Sequence, residues 1–161
     1  MDNFPRLNLP ALVAPKLRRD GDILRIYDAC RNAYVKLTPE EWVRQHFVAY
    51  LCREMGYPTS IIGNEVSLQL NSLSRRADTV VYDAHGEPYI IIEYKAPHIE
   101  ITQQVFDQIV RYNMVLHACY LAVSNGLKHY YCSIDYTTKT YKFIPHLPKY
   151  NSTNSTPTTI K

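Results

Sequence analysis

Residues 89–95 run Tyr-Ile-Ile-Ile-Glu-Tyr-Lys, and they constrain the fold more than any other stretch. Side chains alternate between the two faces of a strand. Glu93 and Lys95 therefore share a face with Ile91, while Ile90, Ile92 and Tyr94 take the other. An acid and a lysine closing so apolar a strand are costly unless they are paired or used.

The preceding run, residues 78–83, is a second strand, joined to the first by Ala84-His85-Gly86-Glu87. Pro88 can open the strand of residues 89–95 without losing a needed donor. If these four residues form the loop, Asp83 pairs with Pro88. Counting back then sets Asp78 opposite Glu93. Directly opposed residues of an antiparallel pair point to the same face, so two carboxylates would repel. A shared proton, the Lys95 ammonium or a divalent cation would relieve them. Oxygen donors of this kind favour Mg2+ or Mn2+. The count holds only for that loop length, because a one-residue slip turns every side chain over. The plainer alternative is that Lys95 makes a surface salt bridge with Glu93 or Asp78.

The flanking sequence builds a layered domain around this hairpin. Residues 1–20, with Pro5, Pro10 and Pro15 among apolar residues, form an extended arm ending in the basic run Lys16-Leu17-Arg18-Arg19. Residues 23–27 and 33–37 make a hairpin. Thr38-Pro39-Glu40-Glu41 starts a helix, with Thr38 as cap, Pro39 in the first position and Glu41 completing a capping box. Trp42, Val43, His46, Phe47, Tyr50 and Leu51 continue it as an apolar stripe, and Gly56 ends it. His46 on that stripe reads as a core histidine. Residues 65–71 alternate as a half-buried strand, with Val66, Leu68 and Leu70 inward. A second helix covers about residues 102–116. Residues 119–123 are a short buried strand, parallel to the central pair because a helix precedes it. Residues 130–134 and 140–144 make a closing hairpin. The polar tail, residues 151–161, lacks the apolar residues to fold. The order helix, three strands, helix, strand predicts an α/β (α+β) sandwich with a mixed central sheet, one domain over residues 21–150.

Composition excludes other classes. In 161 residues, 46% hydrophobic and 20% charged is a globular balance. No apolar run approaches the roughly 20 residues of a membrane span. The start, acidic and broken by proline, is no secretory signal, so a cytoplasmic protein without membrane contact is expected. No two of Cys30, Cys52, Cys119 and Cys132 form a C-x-x-C pair, so they read as small apolar residues. A net charge of +3 permits nucleic-acid binding where basic residues cluster.

Several segments in one order carry a family resemblance. They are Thr38-Pro39-Glu40-Glu41-Trp42-Val43-Arg44-Gln45, Arg76-Ala77-Asp78, Ile92-Glu93-Tyr94-Lys95-Ala96, Gln108-Ile109-Val110-Arg111-Tyr112 and Ser124-Asn125-Gly126. Together the set resembles the PD-(D/E)XK nuclease superfamily, and more closely the nuclease domain at the N-terminus of type I restriction endonuclease R subunits. The resemblance implies a restriction-endonuclease-like core and divalent-metal cleavage of DNA, in restriction or repair. It implies Asp78 and Glu93 as Mg2+ or Mn2+ ligands, with the Tyr94 carbonyl beside them, and Lys95 as the residue that positions or activates water. Gln108 and Tyr112 match the Q-x-x-x-Y motif for site support and DNA contact. Glu41 matches the acid of the first helix, with capping as its alternative role and Glu40 as its substitute. Ala77 stands where the superfamily pattern has proline. No G-x-x-x-x-G-K-[ST] phosphate loop occurs, so the ATP-dependent part of restriction is not carried over to this stand-alone nuclease-like domain, whose expected partners are DNA and a translocase (helicase) or methyltransferase subunit. Arg76, Arg111, Arg75 and Arg44 are candidate phosphate contacts, Arg44 and Arg111 also fitting solvated helix faces. A non-catalytic nucleic-acid-binding module on the same fold is the competing reading.

Overall fold

The computed structural model describes residues 4–151. Residues 152–161 of the expected tail lie outside that range.

Three short strands come first: β1 (Leu17–Asp20), β2 (Ile23–Asp28) and β3 (Ala33–Lys36), an antiparallel sheet. The basic run expected in the arm thus supplies β1, which pairs Leu17 with Ile26. The arm before it lies on the domain. Leu7 is buried, the Asn8 amide donates to the Gly126 carbonyl at 2.8 Å, and Phe4 stacks on Trp42. Gly126 has φ +84°, and an added Cβ would lie 2.7 Å from Leu7 Cδ2. Glycine there allows both the turn and the close approach of the arm.

Helix α1 (Pro39–Arg53) is capped by the Thr38 side chain, which accepts from the Glu41 amide at 3.1 Å. The expected Glu41 half of a capping box is absent, because its carboxylate is engaged by arginines instead. Then come β4 (Ile62–Leu70), β5 (Leu73–Tyr82), β6 (Pro88–Tyr94), α2 (Gln103–Asn113), β7 (Tyr120–Ser124), β8 (His129–Asp135) and β9 (Thr140–Ile144). Strands β4 to β9 form one sheet in sequence order, antiparallel throughout except for the parallel β6–β7 pair. The helix, three strands, helix, strand order is the expected one. Among the described residues, no helix is long and apolar enough to cross a membrane.

The alternation of β6 divides the core in two. Ile90, Ile92 and Tyr94 join Val43, Phe47 and Leu51 of α1. Ile91 joins Val80, Leu121 and Val123 with Phe106 and Val110 of α2. Each apolar face of the central strand thus has its own helix, which makes the domain a sandwich. His46 is buried, with Nδ1 2.8 Å from the Trp42 carbonyl, and burial lowers its pKa.

One polar chain crosses the α1 face of the core. The Tyr94 hydroxyl donates to Thr79 Oγ1 at 3.0 Å, Thr79 donates to Asn64 Oδ1 at 2.6 Å, and Asn64 Nδ2 donates to Asp28 Oδ2 at 2.9 Å. Thr79→Val keeps the shape but orphans both the Tyr94 hydroxyl and Asn64 Oδ1. Each buried orphan costs about 1–3 kcal/mol, so urea unfolding should show a loss of about 2–6 kcal/mol. Tyr94→Phe leaves the Thr79–Asn64 bond in place and should cost less. Equal losses would show that the chain does not act as described.

Candidate active site

The β5–β6 pairing matches Thr79 with Ile92, Val80 with Ile91 and Val81 with Ile90. One step further along this register, Asp78 stands opposite Glu93. The loop itself differs from the count that predicted this. Tyr82, not Asp83, pairs with Pro88, and the Asp83 amide donates to the Glu87 carbonyl at 2.9 Å. Tyr89 is the extra residue of a bulge between these pairs. The tighter loop moves the register by one residue, and the bulge restores it before the carboxylates.

Asp78 is fixed by the main chain: its Oδ2 accepts from the Tyr94 amide at 2.9 Å. Glu93 is partly buried beneath α2. Burial first, and the Asp78 carboxylate second, raise its pKa far above the ordinary 4.5, against smaller opposing effects of Asn113 and Lys95. Lys95 follows β6 directly, and its amide extends the parallel ladder to the Ser124 carbonyl at 2.9 Å. The Ser124-Asn125-Gly126 turn holds the chain beyond it, because Asn125 Nδ2 donates to the Ile99 carbonyl at 2.8 Å.

A chain of alternating charges reaches Asp78 from α1. Arg31 bridges Asp28 and Glu41, both at 2.5 Å. Arg44 Nη1 meets Glu41 Oε2 at 2.8 Å, while its Nη2 bonds Glu65 Oε1 and lies 3.9 Å from Asp78 Oδ1. Arg76 closes the chain on Glu65 at 2.5 Å. Arg44 is only 4% exposed, so it is neither a solvated helix face nor a free phosphate contact. Burial would lower its pKa, but Glu41 and Glu65 hold it raised. Glu65 was expected on the solvent side of a regular strand. It has φ +56° and sits across β4–β5 from Asp78, between the Asn64–Thr79 and Val66–Ala77 pairs. Burial opposes its ionisation, and Arg44 and Arg76 overcome that to lower its pKa.

The other expected residues are more dispersed. Glu41 is buried within the arginines and reaches Asp78 only through Arg44, and Glu40 is exposed. Gln108 and Arg111 are exposed on α2. Tyr112 is 39% exposed, with the Arg75 guanidinium 3.9 Å from its ring centroid. The residue of α2 that does touch the site is Asn113, 1% exposed, whose Nδ2 lies 3.4 Å from Glu93 Oε1. Its signal in the sequence was an amide on the stripe of Phe106 and Val110. Two cavities of about 330 Å³ lie along the N-terminal arm, and neither is lined by Asp78, Glu93 or Lys95.

Among the described residues, no three His, Cys, Asp or Glu side chains form a metal-binding group. The donor set is two opposed carboxylates and the Tyr94 carbonyl. All are hard oxygens, the donor type that Mg2+ and Mn2+ prefer.

The raised Glu93 has a measurable consequence in metal-free protein. Its folded form holds the proton more tightly than the unfolded chain, so stability is full below about pH 4. It falls as pH rises above the ordinary 4.5 toward the raised value. Thermal unfolding in EDTA should show this fall, and Glu93→Gln should flatten it and raise the neutral-pH midpoint. A slope unchanged in Glu93→Gln would remove Glu93 as its source.

Residues 39–148, more than half of the chain, match the family model for the type I restriction enzyme R protein N terminus (HSDR_N). No curated protein matches the chain. Among solved structures, a fragment of a protein assigned as an HsdR subunit of a type I restriction enzyme from Vibrio vulnificus YJ016 is similar, with TM-score 0.47 and 20% identity. The similarity covers 70% of this chain and 24% of that one, so the chain spans about a quarter of the neighbour's length. By its family match, this chain belongs to the type I restriction enzyme R N-terminal family.

Proposed function

We propose that the domain is a divalent-metal-dependent DNA endonuclease module that hydrolyses phosphodiester bonds in restriction, or in related DNA repair. The observation that carries this reading is the Asp78–Glu93 pair: two opposed carboxylates, one far above its ordinary pKa, beside Lys95. Asp78, Glu93 and the Tyr94 carbonyl would hold Mg2+ or Mn2+. When bound, that cation supplies Lewis-acid polarisation of a phosphoryl oxygen and of the attacking water.

The chain's own residues do the rest. The Tyr94 amide holds Asp78 in one orientation. Lys95 brings positive charge beside Glu93, where it would stabilise negative charge developing at phosphorus. Arg76, with its side chain 68% exposed, Arg111 and Gln108 would meet the DNA backbone, and Tyr112 backed by Arg75 would pack beside it. Glu41 is a positioning residue acting through Arg44.

In the second reading the domain binds DNA but cuts only with a separate translocase or methyltransferase subunit. The family match, which is to the N terminus of a restriction enzyme R protein, favours it. Supercoiled plasmid with Mg2+ or Mn2+ separates the two. Cleavage by the chain alone, abolished by EDTA and reduced about 100-fold or more in Lys95→Ala, supports the first. Equal cleavage by Lys95→Ala refutes the assigned site, and binding without cleavage under every metal supports the second reading. Arg76→Ala should also lower the slope of log affinity against log salt by about 0.9, the value of one phosphate contact. An unchanged slope would remove Arg76 from the DNA interface.

A further inference from the structure

We infer that Asn113, and not Gln108 of the Q-x-x-x-Y motif, is the residue of α2 that positions Glu93 for metal binding. The inference rests on the metal-site reading above.

The helix geometry separates the two residues. Phe106, Val110 and Asn113 recur at helical spacing and are the buried residues of α2. Gln108 lies two positions from Phe106, about 200° around the helix, and is exposed. Asn113 sits on the sheet side over Glu93. Its amide orientation is determined locally, because Nδ2 donates to the Ile109 carbonyl at 2.9 Å. The second Nδ2 hydrogen is then directed to Glu93 Oε1, 3.4 Å away.

The other end of the amide carries the argument further. Asn113 Oδ1 is buried and has no hydrogen-bond partner among the described residues. An unpaired buried carbonyl oxygen on an apolar helix face is costly, and native cores rarely keep one without a use. Leucine or alanine would suit the stripe of Phe106 and Val110 better. A buried side-chain donor on the carboxylate that would bind the metal is the arrangement of an outer-shell residue. Such residues orient ligands, and their loss typically weakens metal binding 10–100-fold.

The inference requires stability and metal affinity to move in opposite directions. Asn113→Leu removes the unpaired oxygen and fills the site with carbon. The metal-free midpoint in thermal unfolding should therefore stay level or rise. Over the same change, the Mn2+ dissociation constant, read from free Mn2+ by electron paramagnetic resonance, should increase about 10-fold or more. Gln108→Ala should leave that constant within about twofold, since outer-shell loss is the larger effect. An Asn113→Leu protein with unchanged Mn2+ affinity overturns the inference while leaving the metal site standing. Weakened binding together with a lowered metal-free midpoint also overturns it, because a merely structural residue gives that result. Wild-type protein that binds no Mn2+ at millimolar concentration overturns the metal-site reading, and this inference with it. If Asn113→Leu does not fold, Asn113→Ala adds no bulk and is judged by the same two measurements.

Discussion

The antiparallel pairing of β5 with β6 governs the rest of the molecule. It is a register, and the register holds Asp78 and Glu93 face to face at the end of a strand buried on both sides. Isolated, that arrangement is unfavourable, because burial and like charge both oppose ionisation. It persists because the same pairing aligns Ile90, Ile91 and Ile92 with Val81, Val80 and Thr79, every one essentially buried. Fully burying one such side chain contributes roughly 1.5–3 kcal/mol. A slip by one residue would relieve the carboxylates but turn this whole set over. The apolar strand thus holds the acidic pair in a position it would not choose.

The opposite side of Asp78 is organised by charge. Strand β4 reaches it through Glu65, whose backbone adopts a conformation costing about 1–2 kcal/mol for a residue with a Cβ. Arg44 and Arg76 hold that carboxylate, so the distorted strand is over-determined. A buried ion-pair network of this kind is weak evidence for stability, since desolvation offsets most of its attraction. Its effect is specificity. Removing one member would leave a buried charge unpaired, so β4, α1 and the β2–β3 turn are tied to one mutual arrangement.

How much of this was legible in the sequence depended on the range of the interaction. Alternation over two residues is local, so the shared face of Glu93 and Lys95 could be read directly. The Asp78–Glu93 register came out of a count whose loop was wrong by one residue, and the Tyr89 bulge returned it to the expected value. Two local departures cancelled, which strand periodicity has no means of showing. Arg44 and Glu65 were misjudged for a different reason. Charged residues at helical or alternating spacing read as solvent-facing, and only their partners on other elements reverse that. Asn113 is inconspicuous in the sequence because an amide breaks an apolar stripe without announcing what lies opposite. The Q-x-x-x-Y match pointed to the right helix but not to the residue that touches Glu93.

The position of Glu41 follows from these constraints. Two helices reach the acidic pair at different members: α2 brings Asn113 to Glu93, whereas α1 brings Arg44 to within 3.9 Å of Asp78. Asp78 is approached from α1 and held by the β6 main chain at once. Glu41, fixed by Arg31 and Arg44, would have to break two close ion pairs to reach a cation beside Glu93. Those pairs are largely shielded from solvent, where charge attraction is stronger than in water. Glu41 is therefore better placed to set the charge and position of Arg44 than to act as a ligand. An acid on the first helix can belong to the site without touching what the site holds.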